Sequence, residues 1–396
     1  MQDPDRERPD ASPPLAHAES PGRPGAPDVV RFAAAGDLLL SSDPSGRHAD
    51  RDPAGIFAPL RGILAECDLV LGNLECTFPG DGRTVSTEPR VIARPQAVRA
   101  VKDAGFGVVT LANNHLFDCL EEGFHRLRSL LDEIGLAHFG AGDDLDQAAS
   151  PAIVEVKGIR VAFLGAADQR SGASHFAADG RPGVAPLDAD ALCERIAQLR
   201  RQVNHVIVSP HWGEERFLIP SPRQVEQAHA FVDAGASMVL GHHPHVVQGL
   251  EMYRGAPIAY SLGNCVAGNV YFSDGDVMTW DRTERTGCLL LADLTARAVE
   301  NVRQQPTFDD GIQVRLDASG FGVSDLGVSG FGARRIARAN RALARGVTLK
   351  RYRREHLWVK TLRPALAHLR WSRLRRLRWR QLQNAFRSLR HARRAE

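Results

Sequence analysis

Residues 241–245 read Gly-His-His-Pro-His, so three imidazoles, His242, His243 and His245, fall within four positions directly after the apolar run 238–240. A strand that ends in a proline-stiffened turn crowded with histidine holds ring nitrogens close together, which suits a metal ion better than a hydrophobic core. The competing reading is of turn histidines that hydrogen-bond to nearby carbonyls. Lone histidines such as His138 and His205 carry little weight beside this cluster. Other polar groups repeat the plan: Asp37 follows residues 32–36, Asn113-Asn114-His115 follows 108–112, and His211 follows 206–210. Each places an ionisable or coordinating group where a buried strand leaves its sheet, the position that layered α/β proteins use for their sites. Asn73 and Glu75 lie two apart, so in extended chain both face the same way. The chain therefore reads as a metalloenzyme. Plainer roles exist for single members: Asp37 as a turn cap, Glu75 as the partner of a buried arginine, and Gly263-Asn264 as a tight turn.

Positioning these groups requires strands that alternate with helices. Strand-like runs are expected at 29–35, 69–71, 161–165, 205–209, 246–253, 258–262 and 288–294, with a further one beginning at Val108. Helical spacing of apolar residues marks 96–104, 121–134 and 188–202. Ser221-Pro222 followed by Val225, Ala228 and Phe231 reads as an N-cap, a proline at the first helical position and an amphipathic face. Alternation early and consecutive strands late predict packed mixed sheets covered by helices.

Composition bounds the rest. The 396 residues carry a formal charge of +3, but positions 334–396 hold 21 Lys and Arg against two Glu, or +19, leaving −16 on the remainder. Blocks of opposite sign imply a basic arm on an acidic body. Apolar residues recur through the arm from Trp358 to Leu389 at steps of three to five, predicting one long helix with an Arg-dominated polar face. Such a helix either packs on the acidic body or lies on an anionic membrane surface. Nucleic acid is not expected, because no aromatic platform accompanies the charge. Six scattered cysteines form no C-x-x-C pair, and residues 1–28 lack the apolar core of a signal peptide, so a cytoplasmic protein is expected, with peripheral membrane contact through the arm. The expected organisation is a disordered segment 1–28, a body 29–305, a linker 306–333 and a helical arm 334–396.

Six motifs in fixed order, Gly36-Asp37, Asn73-Leu74-Glu75, residues 112–115, residues 211–215, residues 241–246 and residues 260–264, closely resemble the CapA family of capsule or poly-γ-glutamate synthesis proteins. That family's fold is similar to the calcineurin-like metallophosphoesterases, a four-layer αββα sandwich. The resemblance implies that Asp37, Glu75, Asn114, His211, His243 and His245 are metal ligands and that His115 is the catalytic histidine beside Asn114. Hard oxygens mixed with three imidazoles suit one or two divalent ions of Mn, Fe or Zn. Glu215 is expected to orient His211, and His242, Asn73, Ser261 and Asn264 to support the site or the substrate. The chain departs from the resemblance at Leu39, where the superfamily supplies a histidine, at Asp118-Cys119-Leu120 and at Cys265. The implied activity is metal-dependent hydrolysis of a phosphoester or related anionic bond in a small-molecule or polymer substrate. The rivals are a non-catalytic accessory subunit that binds an anionic polymer for a ligase complex, and a metal-dependent enzyme acting on an amide bond.

Overall fold

The computed structural model describes residues 29–43, 47–48, 51–317 and 330–368. The expected disorder of 1–28 and the distal arm, 369–396, lie outside the described residues.

The strand Val30–Leu39 organises an eight-stranded mixed sheet. On one side it runs parallel to Leu69–Asn73, which is followed by Val108–Thr110 and Ala137–Phe139. On the other it is antiparallel to Thr286–Leu294, then Val299–Asp309 and Val314–Leu316. Asn264–Ala267 pairs with its far end, from Asp37 to Leu39. The second sheet has six strands in the order Leu250–Tyr253, Ala256–Ala259, Met238–Leu240, His205–His211, Ile159–Ala167 and Ala152–Val156. Its inner four are parallel and its two edge strands antiparallel.

Strand alternation explains the layering. Phe32 and Ala34 face Phe163, Ile207 and Met238 in a core between the sheets, where the Phe32 and Phe163 rings stack at 6.4 Å. Ala33, Ala35, Val70 and Val109 point the other way, onto Pro95–Asp103 and Leu120–Glu133. Ala162, Leu164, Val206 and Val208 of the second sheet pack on Ala189–Leu199 and Pro222–Asp233. Because side chains alternate with period two, each strand feeds two cores at once. The result is the expected αββα sandwich. Ser221 closes a full capping box with Gln224, as its spacing from Pro222 predicts, and its replacement by Ala should cost about 1 kcal/mol.

The structure differs from the sequence reading in two places. Of the predicted strand 246–253 only Leu250–Tyr253 forms, since Gln248 turns aside to donate from Nε2 to the Phe217 carbonyl at 3.0 Å. Residues 306–317, expected to start a linker, finish one strand and add Val314–Leu316, because their backbone groups pair in the sheet. The described part of the arm, expected only as a helical arm over 334–396, is a helix Phe331–Ala344, a turn at Gly346, and a helix Leu349–Leu357 that continues through a π-helical turn to His368; most of the long helix predicted from Trp358 to Leu389 lies outside the described residues. Gly346, with φ 78°, takes the left-handed conformation that separates the first two helices. The first helix buries Ile336, Ala339 and Leu343 on the edge of the body, and Asn340 ties it to Leu250 and Gln304. Among the described residues no helix is long and apolar enough to cross a membrane.

Candidate metal centre

The parallel strands of both sheets end at one seam, and the predicted residues gather there. Gly36 lets the first strand approach the 263 loop so closely that a Cβ would fall 1.8 Å from the Gly263 carbonyl oxygen, while Asp37 N donates to that oxygen at 2.9 Å. Asp37 is fully buried. Its Oδ1 accepts from Asn73 Nδ2 at 2.9 Å and lies 3.0 Å from His242 Nδ1, and its Oδ2 lies 3.3 Å from His245 Nδ1. Asn73 also donates to Glu75 Oε2 at 3.1 Å, so the two do share a face. Glu75 Oε1 is buried and has no hydrogen-bond partner among the described residues, yet it stands 3.7 Å from His245 Nε2 and 3.9 Å from His211 Nε2. His211 Nε2 is 2.8 Å from Asn114 Oδ1.

The potential ligand atoms of Asp37, Glu75 and His245 lie within 4.8 Å of one another, as do those of Glu75, His211 and His243. The two trios share Glu75. Asp37 lies in, and Glu75 and Asn114 follow, strands of the first sheet, whereas His211, His243 and His245 come from the second.

The histidine loop is locally costly. At Gly241 a Cβ would meet the Tyr260 carbonyl oxygen at 2.1 Å, and His243 and His245 have φ of 93° and 55°. Non-glycine residues held there cost on the order of 1–3 kcal/mol each and persist only where neighbours over-determine them. Here Arg216 N donates to Pro244 O at 2.8 Å, and His242 exchanges backbone bonds with Pro210 and Trp212. The strain turns two rings toward the carboxylates.

Charge balance fits a cation. Burial would raise Asp37, but hydrogen bonds with His242 and His245 hold it well below the ordinary range. Burial, reinforced by Asp37, pushes Glu75 up to about 8. His245 rises to about 10, since Glu75 and Asp37 outweigh the opposing effect of burial. Burial, with neighbouring imidazoles adding to it, lowers His211 well below its usual value and His243 to about 4, leaving both neutral, the form in which an imidazole can coordinate. The unpaired Glu75 oxygen, the unpaired His243 Nδ1 and this donor set suit divalent metal binding.

His115 stands beside the trios and belongs to neither. Its Nδ1 is 2.8 Å from Asp118 Oδ2, and that oxygen also accepts from Val91 N at 2.7 Å. Burial would lower His115, but Asp118 raises it above its ordinary value. In the sequence Asp118 stands out only as the start of a departure from the family pattern. Its spacing of three from His115 was the available signal, but nothing in the sequence says that residues 115–120 turn tightly enough to join them. Asn113 braces the same loop, accepting from His115 N at 3.1 Å and donating to the Leu74 carbonyl at 2.9 Å.

The supporting residues divide. His242 holds Asp37, while its buried Nε2 has no hydrogen-bond partner among the described residues. Asn264 Oδ1 lies 2.9 Å from His245 Nδ1, and Ser261 Oγ accepts from Gly263 N at 3.2 Å, shaping the adjacent turn. Glu215 does not orient His211: it is exposed at the rim, and the Asn73 amide lies 3.4 Å from His211 Nδ1 instead. Partial desolvation of its carboxyl group would raise Glu215, but the His245 and His243 rings hold it below the usual carboxylate range. Leu39 is fully buried among apolar side chains and brings no donor.

Two facing mixed sheets, helices outside them and a histidine–carboxylate cluster at their shared end define a four-layer αββα sandwich with a candidate metal centre. Residues 31–269 match the family described as bacterial capsule synthesis protein PGA_cap, and the chain belongs to that family. It is 32% identical over 291 residues to the capsule biosynthesis protein CapA of Bacillus anthracis, covering 70% of this chain. It is also 32% identical over 259 residues to the PGA biosynthesis protein CapA of Bacillus subtilis, covering 65%. In each case the match spans 66% of the relative's length. Among solved structures, the NAD nucleotidase of Haemophilus influenzae aligns at a TM-score of 0.42 with 15% identity, covering 71% of this chain and 50% of that one.

Proposed function

We propose that this chain is a metal-dependent hydrolase that acts on a phosphoester or related anionic bond during capsule or poly-γ-glutamate synthesis. The observation that carries the reading is Glu75 Oε1, a buried and unpaired carboxylate oxygen at the corner shared by two ligand trios. Asp37, Glu75 and His245 would hold one divalent ion of Mn, Fe or Zn, and Glu75, His211 and His243, with Asn114 Oδ1 beside His211, a second. Ions bound in this way polarise an oxyanion and lower the pKa of water, supplying a nucleophile at neutral pH. The protein's own part is orientation and proton supply. Asn73 fixes both carboxylates by donating to Asp37 and Glu75. Asp118 engages Nδ1 of His115, which leaves Nε2 to donate a proton to a leaving oxygen. The asymmetry of the two trios favours one tight and one weaker ion.

The test is turnover of bis(p-nitrophenyl) phosphate and p-nitrophenyl phosphate by protein loaded with each metal and verified by elemental analysis. Activity that disappears with chelator and returns with metal is expected. Fully loaded protein that turns over neither ester would overturn the reading.

A further inference from the structure

The family match ends at residue 269, yet the helices beyond it build a second feature beside the metal centre. A cleft of about 450 Å³ lies between Phe331–Ala344, Leu349–Leu357 and the segment around Leu218. Arg338, Arg341 and Arg345 line it from the first helix, and Arg351 and Arg354 from the second. Spacings of three and four put the first three on one helical face, opposite Ile336, Ala339 and Leu343, which are buried on the body. Arg351 is structural: its guanidinium donates to the Gly346 and Ala342 carbonyls, and the Ala342 bond is 2.8 Å. Arg338, Arg341, Arg345 and Arg354 are exposed, and none forms an ion pair among the described residues. The acid lining the cleft, Glu355, is taken by Leu218 N at 2.9 Å.

We infer that this cleft binds a polyanionic chain carrying carboxylates, such as a γ-linked glutamate polymer, and holds it beside the metal centre. The choice of polymer rests on the proposed function; the site itself rests on the arginines. Guanidinium forks match carboxylates in two-point contacts, and four converging forks without internal partners suit several anionic groups in a row. The cleft is concave, which fits a strand-like ligand better than a flat headgroup surface. Its position also fits. Leu218 lies seven residues from His211, so at most ~25 Å of chain separates them. The second helix grips that connecting segment, with the Tyr352 ring 5.3 Å from Phe217 and Lys360 Nζ 3.0 Å from Glu214.

Fluorescence anisotropy with a labelled γ-linked glutamate oligomer tests this on the full chain. Binding is expected, weakening with salt, and R338Q/R345Q/R354Q should reduce affinity about tenfold or more. The same variant should keep its melting temperature and its turnover of small phosphoesters. A control with the same charge change elsewhere, R61Q/R99Q/R201Q, should retain affinity within about twofold if the contacts are local. Equal losses in both variants would mean diffuse attraction and overturn the cleft. So would an oligomer ignored by wild-type protein, or phosphatidylglycerol vesicles or polyphosphate bound in its place. Wild-type protein that turns over esters but ignores the oligomer sinks the cleft alone. Oligomer binding that requires the three arginines, in a metal-loaded protein without turnover, supports the cleft and sinks the hydrolase reading.

Discussion

Replacing Asp118 by Asn separates proton supply from metal binding. Asn keeps the size and an acceptor oxygen, so Val91 N and His115 Nδ1 retain a partner at the present 2.7 and 2.8 Å. What disappears is the charge. The side chains of His115 and Asp118 are only 12% and 7% exposed, so solvent does little to replace it. A charge-assisted hydrogen bond contributes about 1.5–3 kcal/mol, which at 1.4 kcal/mol per decade is roughly a 10- to 150-fold loss of rate if His115 is the acid. The pH profile supplies the sign. Asp118 raises His115, so the protonated form persists to higher pH and is lost as pH rises through the folded value. Asp118→Asn should therefore pull the alkaline limb of kcat/KM toward lower pH while elemental analysis finds the metal content unchanged. An unmoved limb with full activity would refute the assignment, and so would a rate loss that merely follows lost metal.

Glu75→Gln should strip both metal positions in an elemental assay, because both trios need that carboxylate, whereas Asn114→Ala should weaken only one. Isothermal titration of the wild type should resolve one tight and one weak site; two equally tight ions would contradict the asymmetry. Metal affinity should rise with pH between about 6 and 8, since the Glu75–His245 pair keeps a proton that a cation must expel, and heats measured in buffers of different ionisation enthalpy should reveal that proton. Truncation before Phe331 should lower stability by about 3–6 kcal/mol in denaturant melts through loss of buried Ile336 and Leu343, while truncation after His368 removes none of the described contacts.

The layers were legible because strand-like runs alternate with helical spacing along the chain, and strands apolar on both faces need cover on both. Phe32 and Ala34 against Ala33 and Ala35 require two cores on opposite sides of one strand, and the same holds for Phe163 against Ala162 and Leu164. Groups at strand ends were legible too, since parallel strands deliver their C-terminal ends to one place. What links those groups was not. The Asn73 contacts depend on how two loops meet across the seam, and the Asp118–His115 bond depends on a tight turn without a glycine signal. The arm misled through its composition: arginine-rich spacing looks alike on a solvated helix and a docked one. Only the tertiary contacts of Ile336, Asn340 and Leu343 distinguish them.

Because three of the six gathered candidate ligands come from strands of one sheet and three from the other, neither half of the sandwich carries the proposed site alone. This bears on when the protein is loaded during its synthesis. Asp37, Glu75 and Asn114 leave the ribosome first, but without His211, His243 and His245 they offer a nascent chain no more than a loose set of oxygens. Under the proposed function, loading would wait until the strand ending at Leu240 has added to the second sheet and the strained histidine turn has closed. A tightly held ion would then act as a rivet across the two layers and mark chains whose folding is complete.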